Sequence, residues 1–331
     1  GPSVDKFVPK VKDTAKILYI LYIGITLLQI VCLLLARMPL FDALTLSFGT
    51  AGTGGFGFIP GSMEMFHPFS QYVMAIFLIL FGCNFSLYYL LLLGKIKDVF
   101  RSEEFKSYAI ILAAAVGFVF LSLVGRFEAY PQVYTTEEAF RHSLFEVDSL
   151  ITTTGYTTTD YHMWPMVATM TLLVVMFTGG MAGSTAGGIK ISRIVMAVKG
   201  AYINVRKLIN PRYVPKAKFE GKTLDPKTIN DVFAFITLYF FILIAVQFLL
   251  AFDPVNGQIV TIVSDASTYN VKHGFFSNFS AALACISNVG PAFEAVGPYA
   301  SYAGYNGFSK IILTLTMLLG RLEILPVTKL R

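Results

Sequence analysis

Charge is scarce in this sequence. Of 331 residues, 14% are Asp, Glu, Lys or Arg and 55% are hydrophobic, where an average soluble domain is roughly a quarter charged. That balance excludes an ordinary water-soluble domain. Cysteine is nearly absent, and Cys32, Cys83 and Cys285 all lie in apolar runs with no CxxC pair and no adjacent histidine, so neither a zinc knuckle nor a redox motif is present. They read as small buried hydrophobes. The four histidines, His67, His142, His162 and His273, share no spacing and fall between apolar runs, which leaves no histidine inside a span to serve as a catalytic base. A cleavable signal peptide is lacking too: the N-terminus is polar and the first apolar run has no small-residue cleavage site.

What the chain has in quantity is hydrocarbon. A bilayer crossing takes about 20 apolar residues, and such runs occur at 17–36, 69–94, 108–124, 232–252 and 311–325, with a shorter one at 166–177 that runs into glycines. Lys6, Lys10, Lys12 and Lys16 precede the first run, and Lys95, Lys97, Arg101 and Lys106 follow the second. A basic stretch from Lys190 to Lys227 follows the short one. Connections 37–68, 126–141 and 253–278 are poor in lysine and arginine. By the positive-inside rule the basic segments and the N-terminus are cytoplasmic and the others face outward. The basic charge serves topology and anionic lipid; with no aromatic interleaving and no reading helix, it does not indicate nucleic acid. Trp164 and the tyrosines near span ends fit an aromatic belt.

The outward connections repeat: "FDALTLSFGTAGTGGFG", "FRHSLFEVDSLITTTGYTTTDY" and "FFSNFSAALACISNVGPAFE". Each is one short helix followed by a glycine-bearing extended segment. Non-helical backbone is tolerated at membrane depth only where it is buried in protein or lines water, so the repeat predicts re-entrant loops around a pore. The expected fold is an all-α polytopic membrane protein, with span, pore helix, filter loop and span repeated in units 1–95, 96–210 and 211–331. In the second unit, Thr153, Thr154, Gly155 and Tyr156 aim successive carbonyls at an axis, the glycine supplying dihedrals that a Cβ would forbid. Such oxygen rings replace the hydration shell of a monovalent cation. The matching residues are Thr53, Gly54, Gly55 and Phe56 in the first unit and Asn288, Val289 and Gly290 in the third. Glu146, Asp148 and Asp160 are expected to place negative charge at the outer mouth, where it concentrates cations.

The short run 166–177 cannot cross about 30 Å of hydrocarbon at 1.5 Å per residue. The helix therefore breaks within the membrane at "TGGMAGSTAGG". Thr178, Gly179, Gly180, Gly183, Gly187 and Gly188 are expected to form a low-bulk gate facing the pore. "GSTAGGIKIS" superficially matches a phosphate-binding loop, but Ile189 separates the last glycine from Lys190 and no strand precedes it.

"TTTGYTTTDY", "FTGGMAGSTAGGIKISR" and "LLGRLEILPV" together resemble the TrkH/KtrB family of bacterial potassium transporters, most nearly its TrkH branch, and the resemblance covers essentially the whole chain. It implies four span–pore helix–span units with one filter glycine each, K+ as the transported ion held at the filter residues, and no bound cofactor. It further implies Arg321 as a positive charge below the filter, and a homodimer on a cytosolic nucleotide-binding regulatory subunit (TrkA-like), in the bacterial inner membrane. Channel-like conduction and proton- or sodium-linked symport are both compatible with it. Here three repeats occur, starting where the second family repeat would begin, and Gly1 is not a methionine; a longer natural polypeptide is expected. "TKLR" at 328–331 also departs from the apolar ending expected. A sodium or mixed Na+/K+ transporter of the same superfamily, with serine for a filter glycine in the first repeat, is the competing reading. An intramembrane enzyme is the remote one.

Overall fold

The structure is a computed structural model that describes residues 11–57, 61–125, 134–210, 217–263 and 268–322, with backbone alone at 11–14. Its helices follow the apolar runs. In the first part of the chain α1 (Val11–Leu35) leads to a short α2 (Leu40–Ala51), and α3 (Pro68–Gly82) leads to α4 (Phe85–Leu92) and α5 (Ile96–Arg101). Next come α6 (Glu103–Gly125), a second short helix α7 (Thr136–Ile151), α8 (Met166–Phe177) and α9 (Ile191–Ile209). A small hairpin of β1 (Lys218–Phe219) and β2 (Lys222–Thr223) precedes α10 (Pro226–Leu250). A second antiparallel hairpin, β3 (Ile259–Val263) and β4 (Thr268–Lys272), then leads to the short α11 (Phe275–Ser287) and to α12 (Gly307–Arg321). Neither hairpin was foreseen from sequence.

Three described helices, α1 from Ala15, α6 and α10, are long and apolar enough to cross a membrane. Each turns an apolar face outward: Ile20, Ile23, Leu27 and Val31 on α1, Ile110, Phe118 and Leu121 on α6, Phe241, Ile244 and Phe248 on α10. Contiguous apolar surface on that scale suits lipid, not water. The short helices are the centre instead. On α11 every residue from Ser280 to Ser287 is buried, and on α7 every residue from Phe145 to Ile151. Their N-termini are fixed locally. Thr135 caps α7 and Glu138 returns the bond to the Thr135 backbone, a reciprocal capping box.

The run expected to span 69–94 as one helix does not. It bends by 94° between α3 and α4, where Cys83 is extended and Asn84 caps the new helix by accepting from the Ser86 N–H. The groups freed at the break bond to the glycine-rich loop after α8: the Met181 N–H donates to the Gly82 carbonyl and the Phe85 N–H to the Gly183 carbonyl. Two broken spans thus satisfy one another's backbone, as a low-dielectric interior requires.

Candidate ion-conducting site

Each short helix ends in the same way. Thr53, Thr153 and Asn288 sit in the left-handed region at φ 48°, 54° and 59°. The next residue in each case donates its N–H to the carbonyl five positions back, Gly54 to Gly49, Thr154 to Ser149 and Val289 to Ala284, all at 2.8 Å. This is a Schellman-type ending. A β-branched residue at positive φ is an outlier that costs of order 1–3 kcal/mol, yet it occurs at both Thr53 and Thr153. Two residues on, Gly55, Gly155 and Gly290 take φ of 64°, 89° and 105°. The predicted filter segments therefore share one backbone path.

They also touch in series. A Cβ on Gly55 would lie 1.8 Å from the Thr154 carbonyl oxygen, and one on Gly155 would lie 2.2 Å from the Val289 oxygen. Thr154 and Val289 are equivalent positions, so segment one meets segment two as segment two meets segment three. A repeated head-to-tail contact generates a ring when its rotation closes. A Cβ on Gly290 would meet nothing described within 4 Å. Among the described residues no hydrogen bond ends on the carbonyls of Thr53, Gly54, Gly55, Thr153, Thr154, Gly155, Tyr156, Asn288 or Val289. Two of the oxygens expected to be free are engaged from behind: Tyr156 donates to the Phe56 carbonyl at 3.3 Å and Tyr302 to the Gly290 carbonyl at 2.8 Å. The negative ends of the α2, α7 and α11 dipoles lie at these segments, and no basic residue occupies their last turns.

Side chains brace the strands from outside. Tyr156 is fully buried and reaches back to α2, where a Cβ on Gly49 would meet its hydroxyl at 1.9 Å. Tyr161 donates to the Ala292 carbonyl of the third segment at 3.0 Å. The three carboxylates expected at an outer mouth are not exposed there. Glu146 is fully buried and accepts from the Thr158 N–H at 2.7 Å and its hydroxyl at 3.1 Å, while His142 Nδ1 lies 2.8 Å from the same hydroxyl. Asp148 is fully buried, and neither of its oxygens has a hydrogen-bond partner among the described residues. Asp160 is buried between the His162 N–H and the Tyr269 hydroxyl of the β3–β4 hairpin. The second half of α7 is enclosed on all sides, so Glu146 and Asp148 are buried although they lie on nearly opposite faces of the helix, and no linear pattern in the sequence announced the hairpin that covers Asp160.

The glycine-rich loop lies against the start of the extended segments, at Thr53 and Thr153. Its base is closed by a parallel bridge between Thr178 and Ile189, with the Gly179 N–H donating to the Ile189 carbonyl at 2.8 Å. Thr53 Oγ1 donates to the Thr185 carbonyl at 2.9 Å, and the Gly187 N–H donates to Thr153 Oγ1 at 2.6 Å. The loop's glycines serve close approach: a Cβ on Gly179 would lie 2.0 Å from the Gly187 oxygen, and one on Gly187 would lie 2.4 Å from the Ser287 oxygen. Arg321, at the end of α12, donates Nη1 to the Thr185 carbonyl at 3.0 Å. Arg321 and Gly320 line, with Ser184–Gly188 and Lys190, a cavity of about 160 Å³. Glu323, two residues beyond Arg321 in the sequence, lies outside the described residues, as does "TKLR". Sequence reasoning missed the hydroxyls of Thr53 and Thr153 as contacts to the loop. It also missed Glu104, whose carboxylate reaches the loop from α6.

Long apolar helices around short buried ones, each ending in an extended glycine-bearing segment, define a multi-pass membrane protein. The TrkH family, described as "Cation transport protein", matches residues 4–331, and the chain belongs to it. The Trk system potassium uptake protein TrkH of Salmonella typhimurium is 33% identical over 328 residues, 98% of this chain and 63% of that protein. TrkG of Escherichia coli is 32% identical over 326 residues, 98% of this chain and 62% of that protein. The crystal structure of the potassium transporter TrkH from Vibrio parahaemolyticus superposes with a TM-score of 0.83 at 29% identity, covering 98% of this chain and 65% of that one. The chain thus spans somewhat under two thirds of the relatives it matches.

Proposed function

We propose that this chain forms the greater part of a potassium uptake pore. K+ passes through a ring of backbone carbonyls, and the loop 178–190 with Arg321 closes the path beneath it. The observation that carries the reading is the serial contact of Gly55 with the Thr154 carbonyl and of Gly155 with the Val289 carbonyl. Extended backbone held open by strained dihedrals costs stability, and that cost is explicable when the freed oxygens take the place of water around a cation. The open side beside Gly290 seats a further filter segment, which completes the ring. Beneath the filter, the Arg321 guanidinium repels cations at short range in a low-dielectric cavity. Its hydrogen bond to Thr185 ties that charge to the loop, so displacing the loop moves the barrier.

Units 1–95, 96–210 and 211–331 are three of the pore's quarters. The protein resides in a bacterial inner membrane as a homodimer, with the basic segment 190–227 on the cytoplasmic side, docked to a nucleotide-binding subunit of the TrkA kind. In support, α9 carries Arg206 and Lys207 in its last turn, beside exposed Val198, Tyr202, Val205 and Leu208. The relatives' naming as parts of a Trk system also favours an assembly. The test is expression of the intact protein in cells that lack potassium uptake. Growth at micromolar to millimolar potassium, with rubidium influx resisted by excess sodium, supports the reading. Growth support and influx equal for sodium and potassium would replace it with the sodium or mixed reading, and no cation flux from a well-expressed protein would remove it.

A further inference from the structure

Glu104 sits at the first turn of α6, away from the filter and outside every motif that drew attention in the sequence. Its side chain is buried, at 5% exposure. One oxygen, Oε1, accepts from the Ala182 N–H at 2.6 Å and from the Ser192 N–H at 3.2 Å. These two donors bracket the stretch 183–188 that meets Thr53, Thr153 and Arg321. A single carboxylate therefore holds the loop at both of its ends, and hydrogen bonds to an ionised acceptor are roughly twice as strong as neutral ones.

The placement of Glu104 is itself held from a second element. At the β1–β2 turn, Glu220 and Gly221 both have positive φ, 50° and 71°, which is the hairpin turn that matches strand twist. Glu220 projects onto the start of α6: its Oε1 accepts from the Glu104 backbone N–H at 2.9 Å and from the Ser102 hydroxyl at 2.8 Å. Lys199 on α9 bonds both the Lys218 carbonyl of the hairpin and the Glu103 carboxylate. Phe219 is buried against Met196 and Val232. The hairpin lies within the basic segment, so a chain of direct contacts runs from that segment through Glu220 and Glu104 to the loop.

We infer that Glu104 is a positioning residue for the loop, a latch that keeps residues 183–188 seated under the filter, and that the β1–β2 hairpin sets the latch through Glu220. This rests on the reading of the loop as a gate. In operation, a partner that pulls on the hairpin draws the Glu220 carboxylate from the first turn of α6. Glu104 shifts with that turn, and its two bonds to the loop lengthen together.

The test uses the intact protein carrying a nitroxide at Ser184→Cys, with Cys32 replaced by serine, and measures label mobility alongside rubidium flux without any regulatory partner. Glu104→Gln keeps the shape and removes the charge. It should raise the mobile fraction of the label about tenfold, the factor that corresponds to losing the charge from one hydrogen-bonded acceptor. Glu104→Ala should exceed it, Glu220→Ala should act in the same direction, and Asp231→Asn, at an exposed position on α10, should leave the label unmoved. If Glu104→Ala fails to fold, Glu104→Gln decides. A label unmoved by Glu104→Gln in a well-expressed protein overturns the inference, including where melting temperature falls, since that is the mark of a merely structural contact. A mobilised label with unchanged flux keeps the latch and removes the gate. Raised flux on deleting 179–183, with a label indifferent to Glu104, keeps the gate and removes the latch.

Discussion

Replacing Gly155 by alanine puts the filter geometry to a quantitative test. The backbone there has φ of 89°, where an added Cβ costs of order 1–3 kcal/mol in strain. The larger effect is on the neighbouring segment. The new methyl would lie 2.2 Å from the Val289 carbonyl oxygen and 2.7 Å from Pro291 Cδ, whereas ordinary contact begins at 3.4 Å, so the Val289 oxygen has to retreat by about 1.2 Å. That oxygen is one of those free to face a cation. Whether selectivity comes from ring size or from the field of the dipoles, a displacement of that order degrades it. We expect discrimination of rubidium over sodium to fall at least tenfold, about 1.4 kcal/mol. The assay is rubidium influx against competing sodium in cells lacking potassium uptake, with membrane protein quantified in parallel. Gly55→Ala, which would meet the Thr154 oxygen at 1.8 Å, should be at least as damaging. Discrimination unchanged in a variant that reaches the membrane at normal levels would refute the assignment of these segments as the filter.

Four other outcomes follow from the same geometry. With the proposed further segment seated beside it, Gly290→Ala should match Gly155→Ala in severity in the intact protein; a mild phenotype in the same influx assay would leave that side open. Arg321→Ala removes both the positive charge and the bond to Thr185, and should raise potassium leak several-fold in efflux measurements, whereas reduced flux with poor expression would mark it as structural. Deleting 179–183 should raise flux and weaken its dependence on the regulatory subunit, and ordinary flux with ordinary regulation would place the gate elsewhere. Thr135→Ala breaks the capping box of α7 and should cost about 1 kcal/mol in thermal melts. The Thr135 backbone N–H, with its hydroxyl, holds the Glu138 carboxyl below its ordinary 4.5. This stabilisation is therefore present above about pH 4.5 and lost as pH falls through the lowered value, so the gap between the wild-type and Thr135→Ala melts should narrow in acid without closing, because the bond from the Glu138 N–H to the Thr135 hydroxyl does not titrate.

Three of the span runs and the three glycines that follow the short helices were legible because each carries a local signature, either hydrophobic length or a glycine after a short helix. The short run 166–177 forms α8 over those same residues. The break at 82–84 was not legible. Its residues continue an apolar run, and what stabilises the bend is the pairing of Gly82 and Phe85 with Met181 and Gly183, a contact between segments nearly a hundred residues apart. Asn84 as a helix cap was the one local clue. The burial of Glu146 and Asp148 was not legible, because linear position does not say that the end of α7 is enclosed on all its faces. The covering of Asp160 was not legible either, because the hairpin that contacts it lies over a hundred residues later. Glu104 looked like an ordinary acidic residue at a helix start; only the folded chain brings it to Ala182 and Ser192.

The central claim is that a cation sits on the ring formed by the carbonyls of Thr53, Gly54, Thr153, Thr154, Asn288 and Val289. Anomalous scattering from crystals of the intact protein grown with rubidium or thallium locates such an ion directly. The account predicts a peak on the common axis of the three segments, within coordination distance of those oxygens, that is displaced by potassium and resists an equal concentration of sodium. An empty axis under saturating thallium, or a peak that sodium displaces as readily as potassium does, would contradict it.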